Sequence, residues 1–454
     1  MSAPPPPGVP LTAELVAGET PAPPAARRLR TRRWAGILSA YFSTQTVAQL
    51  LGIAAGLLFV RNMPMHEFAL YTLASSVITF FAFATDLGST TSLVHFYRHA
   101  AAAGDFDRYL AAVLSMRRIA FAIGALVVAV TLPAAARAKG FAPLPVTLTT
   151  LAVITAVGLQ IVAAVRQLVL RLEGRFGRSY RADLSGAGVR LALAALLVVT
   201  ATLRAWIGVL TAAAASAAIA WLARQPHAGA SATAEQVKPY RRAVLRYLLP
   251  TLPSALYFSV QGPMVVWLAA TFGASRNIAE VGALTRLGLL VGIFSGLTGI
   301  VFLPRLARIH DERIYRARVL QFGSLHLLLA SALLLAAWAA PGPFLWLVGP
   351  HYAGLHRELL LVVAGSGLTL LGGYLVSVNL ARCWTRWETA AVAILFICQV
   401  VAVATLPMST TIGVLTFNLL SASVGLLLQL AVATTGFLRP GWVLWKIAPI
   451  SPAS

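Results

Sequence analysis

Residues 27–60 of the chain read RRLRTRRWAGILSAYFSTQTVAQLLGIAAGLLFV, a cluster of five arginines followed by a long apolar stretch. The apolar part is long enough to cross about 30 Å of hydrocarbon as a helix, at about 1.5 Å per residue. A secretory signal peptide has an apolar core of only about 7–15 residues and a cleavage site of small residues. We therefore expect residues 34–60 to remain in the protein as a membrane-spanning helix.

The composition extends this expectation to the whole chain of 454 residues. Hydrophobic residues make up 58% and charged residues 11%, whereas soluble domains have about 45–50% apolar and about 25% charged residues. The formal net charge of +22 would suggest a nucleic-acid ligand in a soluble protein, but so few polar residues cannot cover a water-facing surface. The composition excludes a soluble enzyme, a disordered protein and a DNA-binding domain, and predicts a multi-spanning membrane protein.

Long apolar runs recur along the chain, and a window of about 19 residues identifies twelve candidate spans. They are 35–60, 68–93, 119–136, 144–165, 185–203 and 206–223 in the first half, and 248–272, 281–303, 322–340, 358–378, 388–406 and 411–435 in the second. The runs are continuous rather than alternating, which is typical of helices and not of membrane strands. The predicted fold class is an all-α polytopic membrane protein.

The distribution of basic residues predicts the orientation of these spans. With the N-terminus in the cytoplasm, 28 of the 36 Lys and Arg residues fall in cytoplasmic segments and 6 in outer loops, and Arg190 and Arg286 fall within spans. This bias follows the positive-inside rule. We expect both termini to be cytoplasmic.

The sequence also predicts how the chain is divided. Pro-rich residues 1–33 are expected to form a disordered cytoplasmic tail, 34–223 a first lobe, 224–247 a cytoplasmic linker, 248–435 a second lobe and 436–454 a C-terminal tail. The motif YFSTQ at 41–45 returns as YFSVQ at 257–261, and each copy is followed by Arg-Asn and then by Glu67 or Glu280. Such a repeat indicates two parallel six-helix lobes around a central cavity.

Polar residues lie at helical spacing in the first span of each half. Tyr41, Gln45 and Gln49 share one helix face, which Gly52 and Gly56 continue. In the seventh span Ser254, Tyr257 and Gln261 share a face between three prolines. Two interpretations stay open: these side chains bind substrate in a cavity, or they hold neighbouring helices together.

Three charged residues lie several residues inside predicted spans, where an ionised side chain is costly. Asp86 is interpreted as a proton or cation site or, with more support, as the partner of a nearby arginine. Arg190 and Arg286 both lie about five residues from a predicted span boundary, so their side chains can extend towards the interface. We favour that interpretation for Arg190, near the basic side, whereas for Arg286 a substrate-binding role in the cavity has equal support.

Other chemistry has little support in the sequence. Cys383 and Cys398 lie in apolar surroundings without metal-ligand spacing, and we interpret them as small core residues. Nucleotide-binding, zinc-protease and serine-hydrolase motifs are absent from the sequence. We therefore expect neither an enzyme nor a metal or organic cofactor, and coupling of transport to H⁺ or Na⁺ stays open.

Five segments resemble the motifs of bacterial polysaccharide (O-antigen type) flippases. They are FVRNMPMHEFALY at 59–71, DLG at 86–88, LEGRF at 172–176, VGALTRL at 281–287 and LVGPHY at 347–352. Their order matches the family over about residues 35–435. The chain departs from the family pattern at Ala69 and Leu284, where Gly and Tyr are usual, and at residues 383–386.

The resemblance implies a member of the multidrug/oligosaccharidyl-lipid/polysaccharide exporter superfamily, with two six-helix lobes around a V-shaped cavity and alternating access. It implies transport of an undecaprenyl-diphosphate-linked saccharide to the outer leaflet of the bacterial inner membrane. Arg286 would pair with the diphosphate, while Tyr and Gln side chains would bind sugar hydroxyls. The expected partners are membrane lipids and this substrate, with a polysaccharide polymerase or a glycosyltransferase as candidate protein partners and no nucleic acid. The chain is expected to be a monomer.

Three other functions stay open. A cation-coupled multidrug antiporter of the same superfamily would place acidic residues in its cavity, where Asp86 is the one deep candidate. A membrane glycan polymerase or ligase would need a large outer loop. A scaffold that transports nothing would have a sealed interface between its lobes.

Overall fold

The computed structural model describes residues 44–86, 88–102, 104–224, 234–249, 252–297, 306, 309, 311–384 and 386–439. The predicted tail at 1–33, Tyr41 and residues 440–454 lie outside the described residues. Within the described ranges, all regular secondary structure is helical.

Twelve helices of at least 18 residues form the body of the described chain. They are α1 (Thr44–Asn62), α2 (Met65–Asp86), α4 (Phe106–Arg137), α5 (Pro143–Leu172), α6 (Phe176–Val199), α7 (Ala205–Leu222), α9 (Leu252–Phe272), α10 (Ser275–Leu297), α11 (Glu312–Ala339), α13 (His356–Ala381), α14 (Glu388–Thr405) and α15 (Thr411–Leu438). Shorter helices connect them: α3 (Ser89–Ala102), α8 (Ala234–Leu248) and α12 (Pro341–Val348).

Ten of the described helices are long and apolar enough to cross a membrane. The other two long helices are α10 and α14, and the apolar part of α14 is the shorter stretch Ala390–Thr405. All twelve lie where the sequence predicts spans, so the all-α polytopic membrane fold is confirmed. Several helices are longer than the predicted spans: α4 and α6 begin at Phe106 and Phe176, 13 and 9 residues before the span boundaries at 119 and 185. Hydropathy detects the lipid-embedded part of a helix, whereas its backbone hydrogen bonds continue into polar sequence.

The two halves of the chain repeat the same helix packing. In the first half α5 packs against α7, α2 and α4, and in the second half the corresponding α13 packs against α15, α10 and α11. The repeated glutamates have matching roles. The Glu67 carboxylate accepts a hydrogen bond of 2.8 Å from the backbone N–H of Ala205, the first residue of α7. Glu280 accepts one of 2.6 Å from the Thr411 hydroxyl, at the start of α15. A carboxylate is favoured at a helix N-terminus. The repeated glutamate therefore has the same role in both halves: it binds the N-terminal end of the last long helix of its half.

The core of the molecule is undivided at one end and split in two at the other. One hydrophobic cluster runs through both halves, from Ala55–Phe81 of the first half to Val265–Leu287 of the second. It occupies the end at which α1 joins α2 and α9 joins α10, which we call the closed end. At the other end, here the open end, two separate clusters lie apart, one around Val113 in the first half and one around Tyr315 in the second. Among the residues the structure describes, the hydrophobic core that the halves share therefore lies at the closed end.

The predicted linker at 224–247 is partly helical. Its second part forms α8, whose residues Val244 and Leu248 pack in the open-end cluster of the first half. The described part of the linker therefore packs against the first half.

Candidate substrate cavity

A cavity of about 650 Å³ lies in the first half of the chain, on the open-end side of the undivided core. Its described lining comes from α1, α2, α5, α6 and α7, from Thr90 and Arg117, and from Arg286 of α10. Arg286 is the residue through which the second half reaches this described lining. The cavity is therefore completed by a contact between the two halves.

Two arginines meet at Tyr71 at the deep end of this cavity. Arg190 Nη2 donates a hydrogen bond of 3.2 Å to the Tyr71 hydroxyl, and the Arg286 guanidinium carbon lies 5.7 Å from the centre of the Tyr71 ring. A Cβ atom placed on Gly56 would lie 3.6 Å from Arg286 Cδ, so α1 passes directly beside this side chain. Helices α1, α2, α6 and α10 thus converge on one cationic site.

The charges of Arg190 and Arg286 have no carboxylate partner within the described chain. Neither arginine is part of an ion pair there, and Arg190 Nε is buried without a hydrogen-bond partner. A buried cation without a counter-charge carries a high desolvation cost. The pair is therefore suited to hold an anion that enters from the open end.

The preferred sequence interpretation of Arg190, a side chain that extends to the membrane interface, does not fit the structure. Helix α6 begins at Phe176, so Arg190 lies fourteen residues, or about 21 Å, from its start. The side chain points to Tyr71 instead. The sequence interpretation counted depth from the span boundary at residue 185, whereas the contact with Tyr71 depends on how α2 and α6 pack.

Asp86 is the partner of an arginine that sequence analysis placed in a loop. It pairs with Arg117 of α4, which is only 4% exposed. The same carboxylate accepts hydrogen bonds from the Ser89 hydroxyl at 3.1 Å and from the Thr90 hydroxyl at 2.6 Å. Asp86 therefore joins α2 to α3 and α4, and its charge is already compensated.

A second acidic residue of the cavity, Asp183 of α6, was missed by sequence analysis. It accepts a hydrogen bond of 2.5 Å from the Gln167 amide and forms an ion pair of 3.2 Å with Arg171. Tyr71 was part of a quoted motif but was not assigned a role. Asp183 and Arg117 both lie within helices of the structure. The predicted spans begin at residues 185 and 119, so neither residue was considered as a charge within the membrane.

On α1, the residues of the described cavity lining are Ala48 and Gly52, not Gln45 or Gln49. Both glutamines are half-buried, and Tyr41 lies outside the described residues. A substrate contact of these three side chains stays a prediction. Of the two glycines that continue this helix face, Gly52 lines the cavity and Gly56 lies beside Arg286.

Tyr257 and Gln261 belong to a polar cluster within the second half. The Tyr257 hydroxyl donates to Gln399 Oε1 at 3.2 Å, and the amides of Gln261 and Gln399 exchange two hydrogen bonds of 3.1 and 3.2 Å. These bonds connect α9 to α14, as the helix-joining interpretation predicts. Neither residue belongs to the described lining of the cavity.

Polar contacts between the halves accompany the closed-end core. The Trp267 indole donates to the Ser76 hydroxyl at 3.0 Å. The Lys139 ammonium, between α4 and α5, donates to the carbonyl of Gly273 at 2.7 Å, just after α9. Arg61 stacks on Trp346 with its guanidinium carbon 4.4 Å from the ring centre. The deep end of the cavity is separated from the closed end by these contacts and the core around them.

The fold matches solved structures of membrane transporters. The lipid II flippase MurJ in an inward closed conformation aligns with a TM-score of 0.69 and 13% identity, over 88% of this chain and 89% of that chain. A eukaryotic MATE transporter aligns with a TM-score of 0.55 and 12% identity, over 89% and 96%. An inward-facing multidrug resistance MATE family transporter of the MOP superfamily aligns with a TM-score of 0.52 and 17% identity, over 85% and 95%.

Sequence comparisons add no closer relationship. No family profile matches the chain, and no curated protein is significantly similar to it in sequence. At these identities a structural match establishes the fold. The chain therefore has an all-helical polytopic membrane fold like that of the MATE transporter and MurJ structures.

Proposed function

We propose that this protein is a membrane transporter that flips a polyprenyl-diphosphate-linked saccharide from the cytoplasmic to the outer leaflet, for synthesis of a surface polysaccharide. The observation that carries the proposal is the pair Arg190 and Arg286, which meet at Tyr71 without a carboxylate partner among the described residues. A diphosphate supplies the missing negative charge and binds guanidinium groups through short, charge-assisted hydrogen bonds.

The shape of the molecule supports a transport cycle. The halves share one core at the closed end and have separate cores at the open end. Alternating access requires a second state in which the closed-end contacts of Lys139, Arg61 and Trp267 are broken and the open-end surfaces meet. The diphosphate and sugar would occupy the cavity, while the polyprenyl tail remains in the bilayer because it is apolar.

The sign of the cavity charge argues against the antiporter alternative. A cationic drug or a coupling cation needs a carboxylate that is free to pair with it. Asp86 is held by Arg117, and Asp183 is held by Arg171. A polymerase or ligase also lacks support, because the longest described connection at the closed end is residues 340–355, which contain the short helix α12.

The direct test of this proposal is removal of the deep cation. In a strain that lacks the gene, we expect undecaprenyl-linked saccharide to accumulate on the inner side, as measured by lipid extraction. Arg286→Ala should fail to restore surface polysaccharide although its level in the membrane is normal. Arg286→Lys should restore part of the activity, because the charge is kept and the bidentate geometry is lost.

The matched control is Arg318→Ala, which removes an exposed arginine near the start of α11 that is hydrogen-bonded to Gln321. This variant should restore polysaccharide fully. Normal polysaccharide with Arg286→Ala would remove Arg286 from the mechanism. Unchanged polysaccharide together with altered drug sensitivity in the deletion strain would support the antiporter instead.

A further inference from the structure

Helix α8, which joins the two halves at the open end, has one face fixed against the first half. Val244 and Leu248 are buried in a cluster with Leu110 and Val113 of α4. The ring of Tyr240 packs edge-on against Tyr109 of α4, with ring centres 4.7 Å apart. These contacts set the rotation of α8, so its opposite face is held outwards.

The outward face of α8 is basic. Lys238, Arg242 and Arg246 follow each other at four-residue spacing, and with Pro239 and Ala243 they line a groove of about 400 Å³. All three basic side chains are exposed, and no carboxylate of the described residues forms an ion pair with any of them. The helix carries one acidic residue, Glu235, in its first turn. The groove is therefore a concentrated positive site without an internal counter-ion.

The position of α8 along the bundle places this groove near the membrane surface. Its contacts on α4, Leu110 and Val113, precede by nine and six residues the start of the apolar part of that helix at residue 119. They lie about 9–14 Å from it along the helix. The polar layer of a bilayer extends about 5–8 Å beyond the hydrocarbon on each side. The groove thus lies just outside the level of the lipid headgroups, and long Lys and Arg side chains can extend towards that level.

Exposed apolar side chains flank the basic groove. Leu245 is 46% exposed and Leu249 is 68% exposed. Basic residues beside exposed leucines are typical of a helix that lies in the membrane interface and binds anionic lipid. A free anion would not account for the leucines, because they offer it no contact.

We propose that α8 is a binding site for an anionic phospholipid, whose phosphate is held in the groove by Lys238, Arg242 and Arg246 and whose glycerol and upper acyl region contacts Leu245 and Leu249. This site is separate from the cavity and does not depend on the transported substrate. Because α8 connects α7 to α9, a lipid bound here stabilises the linker between the two halves.

The test measures binding of one defined lipid to the full-length purified protein. In detergent, phosphatidylglycerol should raise the melting temperature of the protein and bind with a measurable Kd, while phosphatidylcholine should not. The triple variant Lys238→Gln, Arg242→Gln, Arg246→Gln should bind phosphatidylglycerol about 100-fold more weakly, because each basic residue near an anionic lipid contributes roughly fivefold. Each single substitution should weaken binding about fivefold, which keeps the test decisive if the triple variant does not fold.

The matched control removes three exposed arginines elsewhere at the open end, Arg181→Gln, Arg313→Gln and Arg318→Gln, and should bind phosphatidylglycerol like the unmodified protein. Equal loss of binding in this control would show a general charge effect and overturn the site. Unchanged binding in the α8 variants would do the same. A rise in melting temperature with inorganic phosphate alone, equal to that with the lipid, would show a free-anion site and also contradict the proposal.

Discussion

Arg117 and Asp86 both line the cavity and neutralise each other's charge. Arg117 is 4% exposed, and its guanidinium bonds to Asp86, to the Ser89 hydroxyl at 2.8 Å and to the Thr90 hydroxyl at 2.9 Å. Such a network stabilises the fold only while every member is satisfied. Arg190 and Arg286 lack this compensation, so the same residue type has a structural role in one place and a proposed binding role in another.

We expect Asp86→Asn to lower the free energy of unfolding by about 1–3 kcal/mol, because Arg117 is left buried without its counter-charge. A fall in the melting temperature of the purified protein in detergent would measure the loss. In the double variant Asp86→Asn, Arg117→Gln, part of the stability should return, since no uncompensated charge remains.

The matched control for this substitution is Asp105→Asn. Asp105 pairs with Arg108, whose side chain is 47% exposed, so the change should cost less than about 1 kcal/mol. An equal loss of stability in Asp86→Asn and Asp105→Asn would show that burial of Arg117 is not the cause.

Helix pairs between the halves decide how closely the closed end can pack. Helices α2 and α10 cross at Gly282, where an added Cβ atom would lie 2.4 Å from Cγ2 of Thr72. A glycine at this position lets the two helices approach within contact distance. The sequence shows Gly282 within the motif at 281–287, but its partner Thr72 is known only from the packing.

We expect Gly282→Ala to destabilise the closed end by about 1–3 kcal/mol, because the added methyl group has no space. The measurement is thermal unfolding in detergent, together with labelling of an introduced cysteine at Ser75, a residue that lines the cavity. A membrane-impermeant maleimide applied from the outside should react faster at this site in Gly282→Ala than in the unmodified background, with Cys383→Ser and Cys398→Ser in both.

Gly292→Ala serves as the control on the same helix, because an added Cβ there meets no atom within 4 Å. It should leave labelling unchanged and keep or slightly raise stability, since alanine favours a helix over glycine. If both glycine substitutions behave alike, helix propensity and not the α2–α10 crossing is responsible.

On the scale of the whole molecule, the helices that precede the arginine-rich connections end at the open end. The connections between α5 and α6, between α7 and α9, and between α10 and α11 follow the same ends of the helices as the cavity. The orientation predicted from basic residues therefore implies that the open end faces the cytoplasm. The substrate of a flippase would enter from that side.

We expect a green fluorescent protein fused after residue 454 to be fluorescent and an alkaline phosphatase fused there to be inactive, because the positive-inside rule places the C-terminus in the cytoplasm. A phosphatase fused at Gly140, in the connection between α4 and α5 at the closed end, should be active after truncation of the rest of the chain. The reverse pattern at the two sites would show that the cavity opens to the outside.

Much of the fold was predictable because it depends on local properties. Twelve apolar runs became twelve long helices, and the glutamates of the sequence repeat took matching places at the starts of α7 and α15. The site was predictable only in part. Arg286 and Arg190 could be singled out as intramembrane charges, but the contact of Arg190 with Tyr71 depends on the packing of α6 against α2 and is not visible in the sequence. Arg117 and Asp183 were missed because they precede the predicted span boundaries at 119 and 185.

The sequence by itself determined the class of protein, the positions of its long helices and a predicted orientation, since hydropathy and loop charge act within a single segment. The tertiary structure alone decided which charges are neutralised. Arg190 meets Tyr71 across 119 positions of sequence, Asp86 meets Arg117 across 31, and Arg286 reaches the cavity from the other half of the chain. The charge that a buried cavity offers to a ligand depends on these pairings, and pairing is a property of packed helices rather than of any one of them.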